Sequence, residues 1–123
     1  MNYPPIQEFI DDNVKSRTVE RLLALKEHLN EIPKKTVDNT VLIATWNIRA
    51  FGNLTRKWDS DDDDSPKRDL HSILCIAEII SRFDVIAIQE VKGKIRALRD
   101  TLKKLGENWS LILTDVNRGF SGN

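Results

Sequence analysis

Two apolar runs constrain this chain more than anything else in it. Val41-Leu42-Ile43-Ala44-Thr45-Trp46 leads directly into Asn47, and Val85-Ile86-Ala87-Ile88 leads into Gln89 and Glu90. Runs this continuous predict strands covered on both faces of a sheet. Leu70, Ile73, Leu74, Ala77 and Ile80 lie between them at helical spacing, widened by Ile76, Ile79 and Phe83 into a stripe broad enough to cover a sheet face. A strand, a helix and a strand in that order predict parallel pairing of residues 41–47 with 84–90, because a helix carries the chain back to the starting edge. Asn47 and Glu90 then share the carboxyl edge, where open α/β sheets hold their ligands.

The rest of the chain falls into zones around this unit. Residues 4 to 32 read as helix, with Ile6, Phe9, Ile10, Val14, Val19, Leu22, Leu23, Leu25 and Leu29 near helical spacing. Ser16 to Thr18 offers hydroxyls that can cap a new helix start, and Pro33 closes the segment. This arm packs on the sheet unit or holds two copies together, and the first is favoured because amphipathic helices usually bury their stripe within their own domain. Residues 53 to 68 form a polar loop with the run Asp59-Ser60-Asp61-Asp62-Asp63-Asp64. The run lacks the alternating ligands, sixth-position Gly and twelfth-position Glu of a calcium loop, so a solvated loop is expected rather than a metal site. Ser65-Pro66 predicts the start of the next helix, a capping hydroxyl followed by Pro at the first helical position. Beyond Glu90, Ile95, Leu98, Leu102 and Leu105 give a helix ending at Gly106, and Trp109, Leu111 and Leu113 alternate with Ser110 and Thr114 as a third strand. Trp46 and Trp109, both within apolar strand patterns, are read as core. Residues 117 to 123 are read as loop.

Composition limits the function without choosing it. The 123 residues suffice for one ordinary core, and 19 Lys plus Arg balance 19 Asp plus Glu. A zero formal charge argues against a dedicated basic clamp for nucleic acid. Cys75, the single cysteine, forms no intramolecular disulfide and has no zinc-site neighbours, so it reads as a small buried apolar residue. Met1-Asn2-Tyr3-Pro4-Pro5 carries no basic start, acidic Glu8, Asp11 and Asp12 interrupt the residues after it, and no window is apolar for long enough to span a bilayer. A cytoplasmic location and no membrane partner are expected.

TWNIRAFG (45–52) and DVIAIQEVKG (84–93) resemble the first two motifs of the endonuclease/exonuclease/phosphatase superfamily, whose members cleave phosphate esters with a divalent metal. The tail Ile48-Arg49-Ala50-Phe51-Gly52 resembles the deoxyribonuclease I branch, and Arg118-Gly119-Phe120-Ser121-Gly122-Asn123 resembles a later loop of these enzymes. The resemblance covers about residues 37 to 123, while the family's complete domain needs roughly twice that length. It implies an α/β fold, the amino-terminal half of a four-layer α/β sandwich, preceded by the helical arm of residues 1–36. The family's two histidines, its Asp-x-Asn pair and its late Asp have no counterpart. His28, in a polar helix pattern, and His71, opening the second helix, lack the right neighbours. The expectation is the first half of a metal-dependent phosphodiesterase, inactive by itself, that leaves one sheet face uncovered and self-associates.

The strand ends suit that chemistry. Mg²⁺ or Mn²⁺ takes hard oxygen ligands, often one or two carboxylates with water and substrate phosphate completing the set, and Glu90 is the candidate ligand. Asn47 can give a carbonyl oxygen toward metal-bound water or an amide donor toward the scissile phosphate, while Gln89, facing opposite to Glu90, is read as structural. Arg49 lies two residues beyond Asn47 on the same side and can bind a phosphate through two hydrogen bonds, and the resemblance gives it a nucleic-acid contact. Arg118 is carried as a further phosphate contact. Without the resemblance, Glu90 reads as a strand-end acid paired with Lys92 or Lys94. The expected partner is nucleic acid, DNA first. The alternatives are a phosphatase of the same superfamily and a non-catalytic binding module that keeps half the fold and docks through its amino-terminal helices.

Overall fold

The apolar run after residue 41 forms β1 (Ile43–Phe51), and the run after residue 84 forms β2 (Val85–Val91). The computed structural model of this chain describes residues 12–91 and 95–113. Within them α1 (Asp12–Leu29) precedes β1, α2 (Leu70–Ile80) connects the two strands, and α3 (Arg96–Leu105) follows β2. The product is a small α/β unit of three helices and a two-stranded parallel sheet among the described residues. Ile43 pairs with Val85 and Asn47 with Gln89, the parallel register expected from a helical crossover. The amino end is locked reciprocally: Asp84 N donates to Leu42 O at 2.8 Å and Leu42 N to Asp84 Oδ2 at 2.8 Å.

The sheet is covered on one side only among the described residues, whereas the apolar runs by themselves predicted two covered faces and the resemblance implied one left open. Ile48, Phe51, Ile73, Ala77, Ile80, Ala97 and Leu98 form the core on the helical side, with Trp46, Ile86 and Ile88 packed against it. On the other side Ile43 is 69 % and Val85 53 % exposed. An unbroken apolar run reports apolar character on both pleats, and among the described residues no second layer packs over this one.

Several boundaries also differ from expectation. Residues 4–11 of the predicted first helix lie outside the described residues, and α1 continues through Ser16–Thr18 because no Pro or Gly interrupts residues 12–29. Thr18 is buried in mid-helix, and α1 lies against α2. The second helix starts at Leu70 and not at Ser65-Pro66. Asp69 supplies the cap: its Oδ1 accepts from Ser72 N and Ser72 Oγ, both at 2.9 Å, and its Oδ2 from Ser60 N at 3.0 Å. One carboxylate that caps the helix and ties the loop outcompetes a hydroxyl four residues earlier. The third helix matches the expected span and ends at Gly106, whose φ of 94° suits a residue without Cβ. Residues 109–113 form no strand. Alternation supplies a face, but a strand also needs a ladder partner, and these residues have none among the described ones; residues 117–123 lie outside the described set. No helix among the described residues is long and apolar enough to cross a membrane.

Candidate functional site

At the carboxyl edge of the sheet, β1 and β2 lose register. Between the pairs Asn47–Gln89 and Phe51–Val91, β1 places Ile48, Arg49 and Ala50 opposite Glu90 alone. A bulge of this kind bends its strand and redirects side chains, and bulges concentrate beside functional sites. Ala50 takes a φ of 48°, a left-handed conformation that costs an L-residue with a Cβ about 1–2 kcal/mol. Arg68 holds it there. Its guanidinium donates to Arg49 O at 2.8 Å and Ala50 O at 3.0 Å, and lies 5.6 Å from the centroid of the Phe51 ring. Burial lowers the pKa of Arg68, yet a guanidinium stays charged at any ordinary pH.

The sheet therefore brings Asn47, Arg49 and the backbone of Glu90 to one edge. Asn47 and Arg49 are both exposed, on either side of Ile48, which is buried in the core, as strand alternation requires. The Glu90 side chain and the whole of Arg118 lie outside the described residues. Gln89 is exposed and register-paired with Asn47, so the two amides stand side by side on the open face.

Neither histidine joins this edge set. His28 lies in the last turn of α1. His71, in the first turn of α2, has Nε2 3.7 Å from Cys75 Sγ and a buried Nδ1 with no hydrogen-bond partner among the described residues. Burial lowers the pKa of His71, Asp69 opposes the shift, and Arg21 and Arg17 of α1 reinforce it. Burial likewise raises the Cys75 thiol, the opposite of what activates a nucleophile.

The acidic loop satisfies itself. Carboxylate oxygens of Asp61, Asp63 and Asp64 lie within 4.8 Å of one another, but Lys57 Nζ is placed 3.2 Å from Asp61 Oδ2 and 2.9 Å from Asp64 Oδ2. Asp61 N adds a bond to Asp64 Oδ2 at 2.7 Å, which with Lys57 holds the Asp64 carboxyl below the usual range. Lys57 thus supplies a cation to two of these three carboxylates. A cavity of about 680 Å³ follows β2 on the side away from β1, and the one carboxylate in its lining, Asp84, is already bonded to Leu42 N.

Sequence reasoning missed Arg68 because it reaches its partners across 18 and 19 residues and no local pattern marks it. It also missed the ion pair of Arg56 with Asp100, 3.3 Å apart, which joins the β1–α2 connection to α3. No family model matches this chain, and no significant match is found among curated proteins or solved structures.

Proposed function

We propose that this chain carries part of the active site of a divalent-metal-dependent phosphodiesterase of the deoxyribonuclease I-like kind, acting on nucleic acid, in the amino-terminal half of a four-layer α/β sandwich. The observation that supports the reading is the parallel register that aligns Asn47 with Gln89 and leaves Glu90 opposite the bulge. Asn47 would orient the scissile phosphate through its amide, and Arg49 would take a phosphate through two parallel hydrogen bonds. Glu90 and Asn47 would hold Mg²⁺ or Mn²⁺, which when bound neutralises charge building on the phosphate oxygens. No His/Asp pair stands with Asn47 among the described residues, so these residues bind and orient a phosphodiester without activating water. The open face around Ile43 and Val85 favours self-association, and it is also what supports a second reading of the chain as a non-catalytic interaction module.

Two measurements on residues 1–123 test the proposal. Trace Mn²⁺ should broaden amide resonances of residues 45–49 and 88–91 before those of 61–64, and Glu90→Ala should abolish that broadening. Plasmid DNA with Mg²⁺ should stay un-nicked. Broadening confined to the acidic loop removes the metal assignment, and robust nicking by the purified chain refutes the partial-site account.

A further inference from the structure

The balanced total charge conceals a segregation. Residues 92–104 contain six Lys or Arg and one Asp, whereas residues 59–64 contain five Asp and no base. Part of the basic segment is folded into a cleft of about 450 Å³ between the β1–α2 connection and α3, lined by Asn53, Arg56, Arg96, Arg99, Asp100 and Lys103. We propose that this cleft binds consecutive phosphates of a nucleic-acid backbone; the choice of nucleic acid as the polyanion rests on the reading above.

Helical geometry sets the arrangement. Arg96, Arg99 and Lys103 stand at i, i+3 and i+7 on α3, on one face, and all three are exposed. Ala97, Leu98, Thr101 and Leu105 on the opposite face are buried, and Thr101 Oγ1 bonds Ala97 O at 2.8 Å, so the helix cannot roll to disperse the charges. Seven residues at 1.5 Å rise give the stripe a length of roughly 10 Å. Measured along a duplex axis, where each strand presents a phosphate about every 3.4 Å, that length passes about three phosphates of one strand. Arg56 faces the stripe from the other wall, held by Asp100, whose side chain is 12 % exposed. Asp100 is the cleft's one carboxylate, and no ion pair engages Arg96, Arg99 or Lys103 among the described residues. Arg99 and Lys103, four apart, form a like-charge pair that weakens a helix standing alone, a cost that an anionic ligand would reverse.

Placement links the cleft to the candidate site. Ala97 N donates to Gly52 O at 2.8 Å, which fixes the first turn of α3 to the chain leaving β1. The cleft thus lies just past the end of β1, the strand that carries Asn47 and Arg49. An anionic membrane suits the surface less well, because the apolar face of α3 is spent in the core and offers no lipid anchor.

The test is fluorescence anisotropy of a labelled 12-base-pair duplex with residues 1–123, titrated across a KCl series. The triple variant Arg96→Gln, Arg99→Gln, Lys103→Gln should weaken binding at least tenfold at 50 mM KCl and flatten the log–log salt slope by roughly two to three. The charge-preserving Arg96→Lys, Arg99→Lys variant should retain most of both. A triple variant that binds like the wild type, while Arg49→Ala weakens binding, overturns the cleft and leaves the nucleic-acid reading standing. A wild type that ignores the duplex, whether inert or bound to phosphatidylserine vesicles instead, overturns both. Inorganic pyrophosphate separates these two failures further: with DNA inert, its shifting of the amides of residues 96–103 would leave an anion site of another kind.

Discussion

The two faces of the β1–β2 sheet come from the same alternating residues, yet they meet different fates. Trp46, Ile48, Ile86 and Ile88 pack under α2 and α3, while Ile43, Thr45, Asn47, Val85, Ala87 and Gln89 look outward. The covered face is sealed by helices whose own stripes are apolar, and the carboxylates buried around those helices are paired. Glu78, for example, lies 3.6 Å from Lys26 Nζ and 3.3 Å from Arg82. The open face combines exposed β-branched residues at one end with two amides at the other. Stability thus resides on one side of a pleat, and the chemistry proposed for this chain begins on the other.

The largest expected effects contrast these faces directly. Phe51 and Ile73 are 0 % exposed, so truncating either to Ala should cost about 2–5 kcal/mol in urea unfolding. Ile43→Ser on the open face should stay within about 0.5 kcal/mol. Ile43→Lys with Val85→Lys should shift sedimentation from self-associated species toward monomer. Equal destabilisation by the open-face and core variants would mean the open face is covered in solution.

A smaller effect is expected where β1 leaves its register. Ala50→Gly should stabilise the chain by up to about 1 kcal/mol, because glycine accepts a φ of 48° without steric conflict. Arg68→Ala should cost about 1–2 kcal/mol by releasing two carbonyls from a charged donor. The two changes made together should give less than their sum if Arg68 is what holds Ala50 in place; strict additivity in thermal melts would dissociate them.

The smallest effect is in pH. His71 has its folded pKa lowered by burial and by Arg21 and Arg17, so the folded state disfavours its proton. Its contribution is fully present above the unfolded value of about 6.5 and is lost as pH falls below that toward the lower folded value. The melting temperature should decline between pH 7.5 and 5, and His71→Gln should flatten that decline. An unchanged slope in the variant would assign the acid sensitivity elsewhere.

The β-α-β order, the parallel pairing and the placing of Asn47 and Glu90 at one edge were legible because they depend on hydrophobic periodicity and on the handedness of crossovers, both local to the sequence. The α3 stripe was legible in principle as well, since spacings of three and four residues mark a helix face, but a zero net charge drew attention from where the charges fall. The third strand was read from alternation, which reports a face and carries no information about a partner, and residues 109–113 have none among the described residues.

What the sequence determined by itself was the order of the three helices and the two paired strands and their apolar faces, because those depend on propensity and period. Tertiary structure alone decided which pleat the helices would cover and that Arg68 would reach back to fix Ala50 beside Asn47. It also drew Arg56 and Asp100 together from 44 residues apart to make the wall of a cleft. Each of these rests on a contact between residues that no local window contains, where burial and hydrogen-bond satisfaction across the chain choose among arrangements that propensity leaves equivalent.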